Sequence, residues 1–382
     1  MLNKLKDLTI VGVSNGLSTL IIGIFWFYMA GLLGTESYGQ VSYLIAAASI
    51  GYVISLFGGG NTITVYTAKE GKKQPSILFL PIVISIIAAI SIYFIFGNIG
   101  ISLFIIGNVI FTLVLSQLLG EKNFKLFGKV VISQKILLLL LSIGLYYQIG
   151  IDGVILGYAL SFLPYSYLLY NSFKSEKITI KEIRNHFHFM MNSYGLDISR
   201  RLSLSADKLI LFPLFGFSLL GNYQLGFQFL ILLTIIPGSV FQYILPHYAT
   251  NNTSTKLRKI TVLVSIGLVI LGVFVAPIII ELLFPQYDQA IEIIQIMSFA
   301  IIPISANYMY VAKFLGQERS KIVLIGSVIF VSIQFSGIYL LGEIFGINGA
   351  AIALVLGASS QSIFFVLSDK FFIKDNYLEE KS

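Results

Sequence analysis

Apolar stretches of about 20 residues recur roughly twelve times along this chain, and that repetition excludes almost every soluble fold. They lie near 8–33, 39–66, 76–97, 100–119, 128–148, 153–172, 188–215, 219–246, 259–283, 289–313, 321–342 and 347–368. A helix rises 1.5 Å per residue, so each stretch is long enough to cross the hydrocarbon layer of a bilayer. Inside lipid the backbone must satisfy its own hydrogen bonds, which a helix does within one segment. Only 11% of the 382 residues are charged, against about 25% in soluble domains. The expected fold is therefore an all-α polytopic membrane protein of about twelve transmembrane helices, with almost nothing left for a soluble domain. The first apolar run is too long for a cleaved leader and lacks a small-residue cleavage site, so it reads as the first span.

Lys and Arg then set the orientation. With the N-terminus in the cytoplasm, the inner segments are the N-terminus, 67–75, 120–128, 173–187, 247–258, 314–320 and the C-terminus. These segments and their flanks carry twenty of the basic residues, while the short outer loops carry none and hold Glu36, Asp152, Asp288 and Glu343. Both termini are expected inside, in a cytoplasmic membrane. The formal charge of +7 is explained by attraction to an anionic leaflet, without nucleic acid as a partner. Lys135 and Lys313 lie near the inner side and are expected to snorkel. No cysteine is present, so disulfide and thiolate chemistry are excluded. His186 and His188 are two residues apart and point to different helix faces, so no metal site is expected.

The longest inner connection divides the chain. The expected organisation is a six-helix bundle over 1–172, a linker over 173–187, a second six-helix bundle over 188–368 and a tail over 369–382. The halves echo each other. Gly150-Ile-Asp-Gly153 precedes the sixth span and Gly346-Ile-Asn-Gly349 the twelfth. Gly34 and Gly39 bracket the turn between spans one and two, as Gly216 and Gly221 bracket that between seven and eight. Six is even, so the two repeats would be parallel, related by an axis along the membrane normal.

One span is anomalous. Asn192 to Lys208 carries Asp197, Arg200, Arg201, Asp207 and Lys208 in an otherwise apolar run. On a helix these five share one stripe with Leu204. Each charge costs about 2.5–3.5 kcal/mol at a helix centre, so five facing lipid would cost roughly 15 kcal/mol. The stripe must face water, charged partners or a charged substrate. Arg200, Arg201 and Lys208 suit a diphosphate, since guanidinium forks match phosphate oxygens in pairs. Asp197, Asp207 and Glu292 are candidates for proton or sodium coupling, or for a charge network. Pairing within the stripe is a competing reading, because Asp197 is spaced for Arg200 and Arg201 along one helix. A location at the cytoplasmic interface is another. Asn15, Ser18, Asn61, Thr62 and Thr64 are candidate cavity lining, with helix–helix hydrogen bonding as the alternative. Gly58-Gly59-Gly60 lacks the Lys-Ser/Thr of a phosphate loop and suits close packing or a bend.

Gly34-Thr-Glu-Ser-Tyr38-Gly39 between the first two spans resembles the opening of polysaccharide flippases of the multidrug/oligosaccharidyl-lipid/polysaccharide (MOP) exporter superfamily. The resemblance continues through Gln117-Leu-Leu-Gly-Glu-Lys-Asn-Phe124, Asp207, Leu219-Leu-Gly-Asn-Tyr223, and Pro277 to Phe284 with Tyr287 and Ala290. Pro285 stands where that pattern has Gly. The lipid II flippases of the superfamily have fourteen spans, two more than expected here. The resemblance implies two six-helix bundles forming a V around a central cavity and alternating inward and outward access. The substrates it implies are polyprenyl-diphosphate-linked oligosaccharides destined for surface polysaccharide such as O-antigen. Membrane lipids and other polysaccharide-assembly proteins are the implied partners, with no cofactor beyond a coupling ion. A cation-coupled multidrug exporter of the same superfamily is the alternative. A membrane glycosyltransferase, polymerase or ligase is the enzymatic one, and the short outer loops speak against it.

Overall fold

The computed structural model describes residues 2–174, 178–249, 255–317 and 319–379. Residues 175–177 of the linker and 250–254 of the 247–258 segment lie outside them. Every regular element among the described residues is helical. The α-helices are α1 (Leu2–Leu56), α2 (Gly59–Glu70), α3 (Pro75–Phe96), α4 (Ile99–Gly120), α5 (Phe124–Ile149), α6 (Ile151–Leu160), α7 (Ser166–Phe173) and α8 (Ile180–Ala249). They continue with α9 (Thr255–Ile270), α10 (Ala276–Leu283), α11 (Asp288–Ser298), α12 (Ile301–Gly316), α13 (Ser320–Phe345) and α14 (Ile347–Glu379).

Two of these helices are too long to cross a membrane once. At 1.5 Å per residue α1 runs about 80 Å and α8 about 105 Å. Each is broken at a glycine with almost the same backbone: Gly34 at φ 75°, ψ 174°, and Gly216 at φ 78°, ψ 177°. Only glycine adopts this region without strain. Nine helices among the described residues are long and apolar enough to span, and α11 with α12 makes a tenth, bent by 46°. Counting α1 and α8 as two passes each, on either side of Gly34 and Gly216, gives the twelve expected from the sequence.

Some spans are less regular than their apolar runs suggested. The second is interrupted at Phe57 and Gly58, both with positive φ, before α2 begins. The Gly58–Gly60 run bends the chain here and also packs it: a Cβ on Gly58 would lie 2.0 Å from the Met190 carbonyl oxygen. The sixth breaks between α6 and α7, and the ninth carries a π-helical turn at Leu271–Val275. Pro303 sits in the first turn of α12, just after the bend, where its missing N–H costs nothing. Pro213 and Pro237 lie within α8.

The chain forms two compact units, Met1–Tyr28 with Tyr43–Arg201, and Met29–Ser42 with Leu202–Ser382. This division differs from the bundle boundaries drawn at 172 and 188. It passes through α8 at Arg201, and it places the Gly34 turn with the second unit. In the first unit, α4 is the most buried span and packs against α2, α3, α5 and α6. In the second, α14 packs against α11, α12 and α13.

The internal repeat is visible in atomic detail. The α5–α6 hairpin turns at Gly150 (φ 67°, ψ −141°) and the α13–α14 hairpin at Gly346 (φ 59°, ψ −141°). Three residues on, a Cβ on Gly153 would sit 2.2 Å from the Leu145 carbonyl oxygen, and one on Gly349 2.1 Å from that of Leu341. Each unit also ties two spans with an amide–carboxylate hydrogen bond, in mirrored order. Asn98 donates to Asp152 at 2.6 Å, joining α4 to α6, and Asn348 donates to Glu292 at 2.6 Å, joining α14 to α11. The acid and the amide exchange places between the two pairs.

Candidate functional site

The helix from Asp197 to Lys208 is continuous, so the charged stripe is one element. Its partners divide between the two units. In the first unit, Asp197 and Arg201 are partly exposed. The Arg201 guanidinium stands 5.2 Å from the centre of the Tyr52 ring, a cation–π arrangement. Tyr52 is itself fixed by a 3.1 Å hydroxyl contact with Thr112 on α4. Tyr158 on α6 is within electrostatic reach of Arg201, and its ring packs against Trp26, the only tryptophan. Asn61 approaches Asp197 with a long 3.5 Å contact. The Arg200 side chain lies outside the described residues.

In the second unit the same stripe ends in a buried polar cluster. Asp207 is 1% exposed and Lys208 6%. The Lys208 ammonium lies 3.2 Å from Asp207 Oδ1, which also accepts the Lys208 backbone N–H at 2.9 Å. Tyr223, in the segment after Gly216, donates its hydroxyl to Asp207 Oδ2 at 3.0 Å. The ammonium also stands 4.3 Å from the Phe227 ring centre. A buried carboxylate and a buried ammonium are thus bonded and net neutral, the condition for burying charge at acceptable cost.

The other sequence candidates fall elsewhere. Glu292 is held by Asn348, as described. The Ser18, Thr62 and Thr64 hydroxyls donate to backbone carbonyls: Ser18 to Asn15 at 2.9 Å, Thr62 to Gly58 at 2.7 Å, and Thr64 to Ser116 at 3.0 Å. Asn15 offers that carbonyl and is half-buried. Asn61 is the exposed member of the set. Lys313 pairs with Asp369 of α14 at 2.5 Å instead of only snorkelling. Sequence reasoning named no role for Tyr52, Tyr158, Tyr223 or Phe227. Aromatic residues make up 14% of the chain, so nothing local marks Tyr52, Tyr158 or Phe227, while Tyr223 entered only as the end of the Leu219-Leu-Gly-Asn-Tyr223 motif.

A second polar cluster, also unanticipated, sits on the Lys/Arg-rich side of the first unit. Ser76 donates to Glu182 at 2.5 Å and accepts the Thr179 backbone N–H at 2.9 Å. Lys72 lies 3.6 Å from Glu182 and 3.8 Å from Glu70. His186 packs on Tyr66 with ring centres 3.9 Å apart, and its Nε2 is 3.7 Å from Glu70. This cluster fastens the end of the 173–187 linker to the connection between α2 and α3.

No family model matches the chain, and no curated protein matches its sequence. Solved structures do match. An inward-facing multidrug resistance MATE family transporter of the MOP superfamily superposes with a TM-score of 0.73 at 14% identity, over 96% of this chain and 98% of that one. The lipid II flippase MurJ, in an inward closed conformation, gives 0.77 at 14% identity, over 94% of this chain and 87% of that one. A MOP superfamily transporter from Pyrococcus furiosus, described as having a binding pocket of reverse polarity, gives 0.64 at 16% identity over 96% and 93%. The fold is that of MOP superfamily transporters.

Proposed function

We propose that this chain, with the fold of MOP superfamily transporters, is a flippase. It moves a polyprenyl-diphosphate-linked oligosaccharide from the cytoplasmic to the outer leaflet by alternating access, in the plasma membrane with both termini inside. The observation that carries this reading is Arg201: a partly exposed guanidinium on the charged stripe of α8, braced on Tyr52 and near Tyr158. A cation in a membrane-crossing helix is costly, which argues for an anionic ligand that uses it. Arg201, with Arg200 on the same stripe, holds the diphosphate. Membrane lipids surround the protein, and other polysaccharide-assembly proteins supply and receive the glycan. The fold likeness to a lipid II flippase supports a lipid-linked substrate.

One observation favours a second reading, a cation-coupled multidrug exporter. Asp197 is also partly exposed and lies beside Asn61, an arrangement that suits a cationic ligand or a coupling ion. The fold likeness to multidrug MATE transporters is comparable. One experiment separates the two. Cells lacking the protein are assayed for lipid-linked saccharide and its leaflet. Cytoplasmic-side accumulation, relieved by the intact gene and not by Arg200→Ala/Arg201→Ala, supports the flippase. Unchanged lipid intermediates with altered sensitivity to toxic cations support the exporter.

A further inference from the structure

The Asp207–Lys208 pair has a geometry that sequence adjacency does not provide. Neighbouring side chains on a helix point about 100° apart and do not normally meet. Here the Lys208 stem turns back so that its ammonium reaches Asp207 Oδ1 at 3.2 Å while lying against the Phe227 ring at 4.3 Å. Tyr223 completes the carboxylate from the segment after Gly216. The two side chains are 1% and 6% exposed, so the pair is shielded from solvent ions. A carboxylate buried this deeply in a membrane protein needs a positive partner or a proton.

We propose that Lys208 is the built-in counter-cation of Asp207 and occupies the place that a coupling sodium ion or proton would otherwise take. The pair by itself carries net charge zero without any ion from solution. A sodium ion entering it would meet the ammonium, and a proton on Asp207 would remove the carboxylate charge that the Lys208 ammonium faces. The conformational equilibrium of the wild-type chain is then insensitive to sodium at this site, and removing the ammonium creates the requirement that it now satisfies. The inference rests on the geometry of the second unit and does not depend on the identity of the transported substrate.

The test is thermal unfolding of the purified full chain in detergent, with sodium chloride exchanged for choline chloride at equal ionic strength, and with pH lowered from neutral to mildly acidic. Two titratable groups face Asp207 among the described residues, Lys208 from its own segment and Tyr223 from the next. The wild type should melt at the same temperature in either salt. Lys208→Gln should become sodium- or acid-stabilised by about 5 °C. Asp207→Asn/Lys208→Gln should lose that dependence. Sodium stabilisation of the wild type that disappears in Asp207→Asn overturns the proposal, as does a Lys208→Gln protein indifferent to both sodium and acid. If Lys208→Gln does not accumulate, recovery of folded protein in the double variant supports the counter-cation role, and equal failure of both overturns it.

Discussion

Charge in this chain is tolerated where it is answered by a specific neighbour. Asp207 accepts three hydrogen bonds, one of them from Tyr223 at 3.0 Å. Tyr223→Phe keeps the ring and removes that donor. The expected loss is about 1.5–3 kcal/mol of stability, the usual value for a hydrogen bond to a charged group, read as a lower melting temperature. Arg201 is different, since its ring partner supports the guanidinium without neutralising it. In the proposed flippase, Arg201→Ala should lower lipid-linked saccharide flipping by about 10- to 100-fold, and Arg201→Lys should recover only part because a point charge lacks the fork. Retention of full flipping by Arg201→Ala in a sidedness assay would remove this residue from the site. The stripe itself was legible in the sequence, because charges in an apolar run stand out. Its aromatic partners were not, because a tyrosine at position 52 or 158 looks like any other of the 21.

At the scale of elements, the glycines fix how closely the passes approach. A Cβ on Gly39 would lie 1.9 Å from the Phe217 carbonyl oxygen, and one on Gly221 1.9 Å from that of Thr35. The two turns therefore cross backbone to backbone, and Ser218 bonds Thr35 across the same crossing at 3.1 Å. Gly39→Ala or Gly221→Ala must push the segments apart, so little folded protein is expected on size-exclusion chromatography. Gly144→Ala, with open space around it, should behave as wild type. The linker clasp makes a milder prediction. Ser76→Ala removes both the bond to Glu182 and the acceptor for the Thr179 amide. The Thr179 amide should then exchange with deuterium at least several-fold faster, at a cost of about 0.5–1.5 kcal/mol for each lost hydrogen bond. An unchanged exchange rate would show that Ser76 does not fasten the linker. The glycine spacing was readable in advance as a repeat. The clasp was not, because its members are 106 residues apart in sequence.

For the whole molecule, the distribution of Lys and Arg makes a claim that labelling decides, and the absence of native cysteine makes it simple to test. Single cysteines in place of Gln286 and Lys122, both exposed at turns, should react with a membrane-impermeant reagent from opposite sides of the membrane. Reaction of both from one side would overturn the assigned topology. The sequence alone determined that this is a helical, multi-pass protein of about twelve spans in two related halves, because hydropathy and helix rise are local properties that the bilayer reads segment by segment. It also located the charged stripe, since a charge in lipid is anomalous wherever it occurs. Only the tertiary structure decided which charges are answered and by what: Asp207 by Lys208 and Tyr223, Glu292 by Asn348, Lys313 by Asp369, and Arg201 by a tyrosine ring. It also decided that the compact units part within α8 rather than at the linker. Those outcomes depend on side-chain packing, in most cases between segments distant in the chain, for which hydropathy carries no record of partner or register.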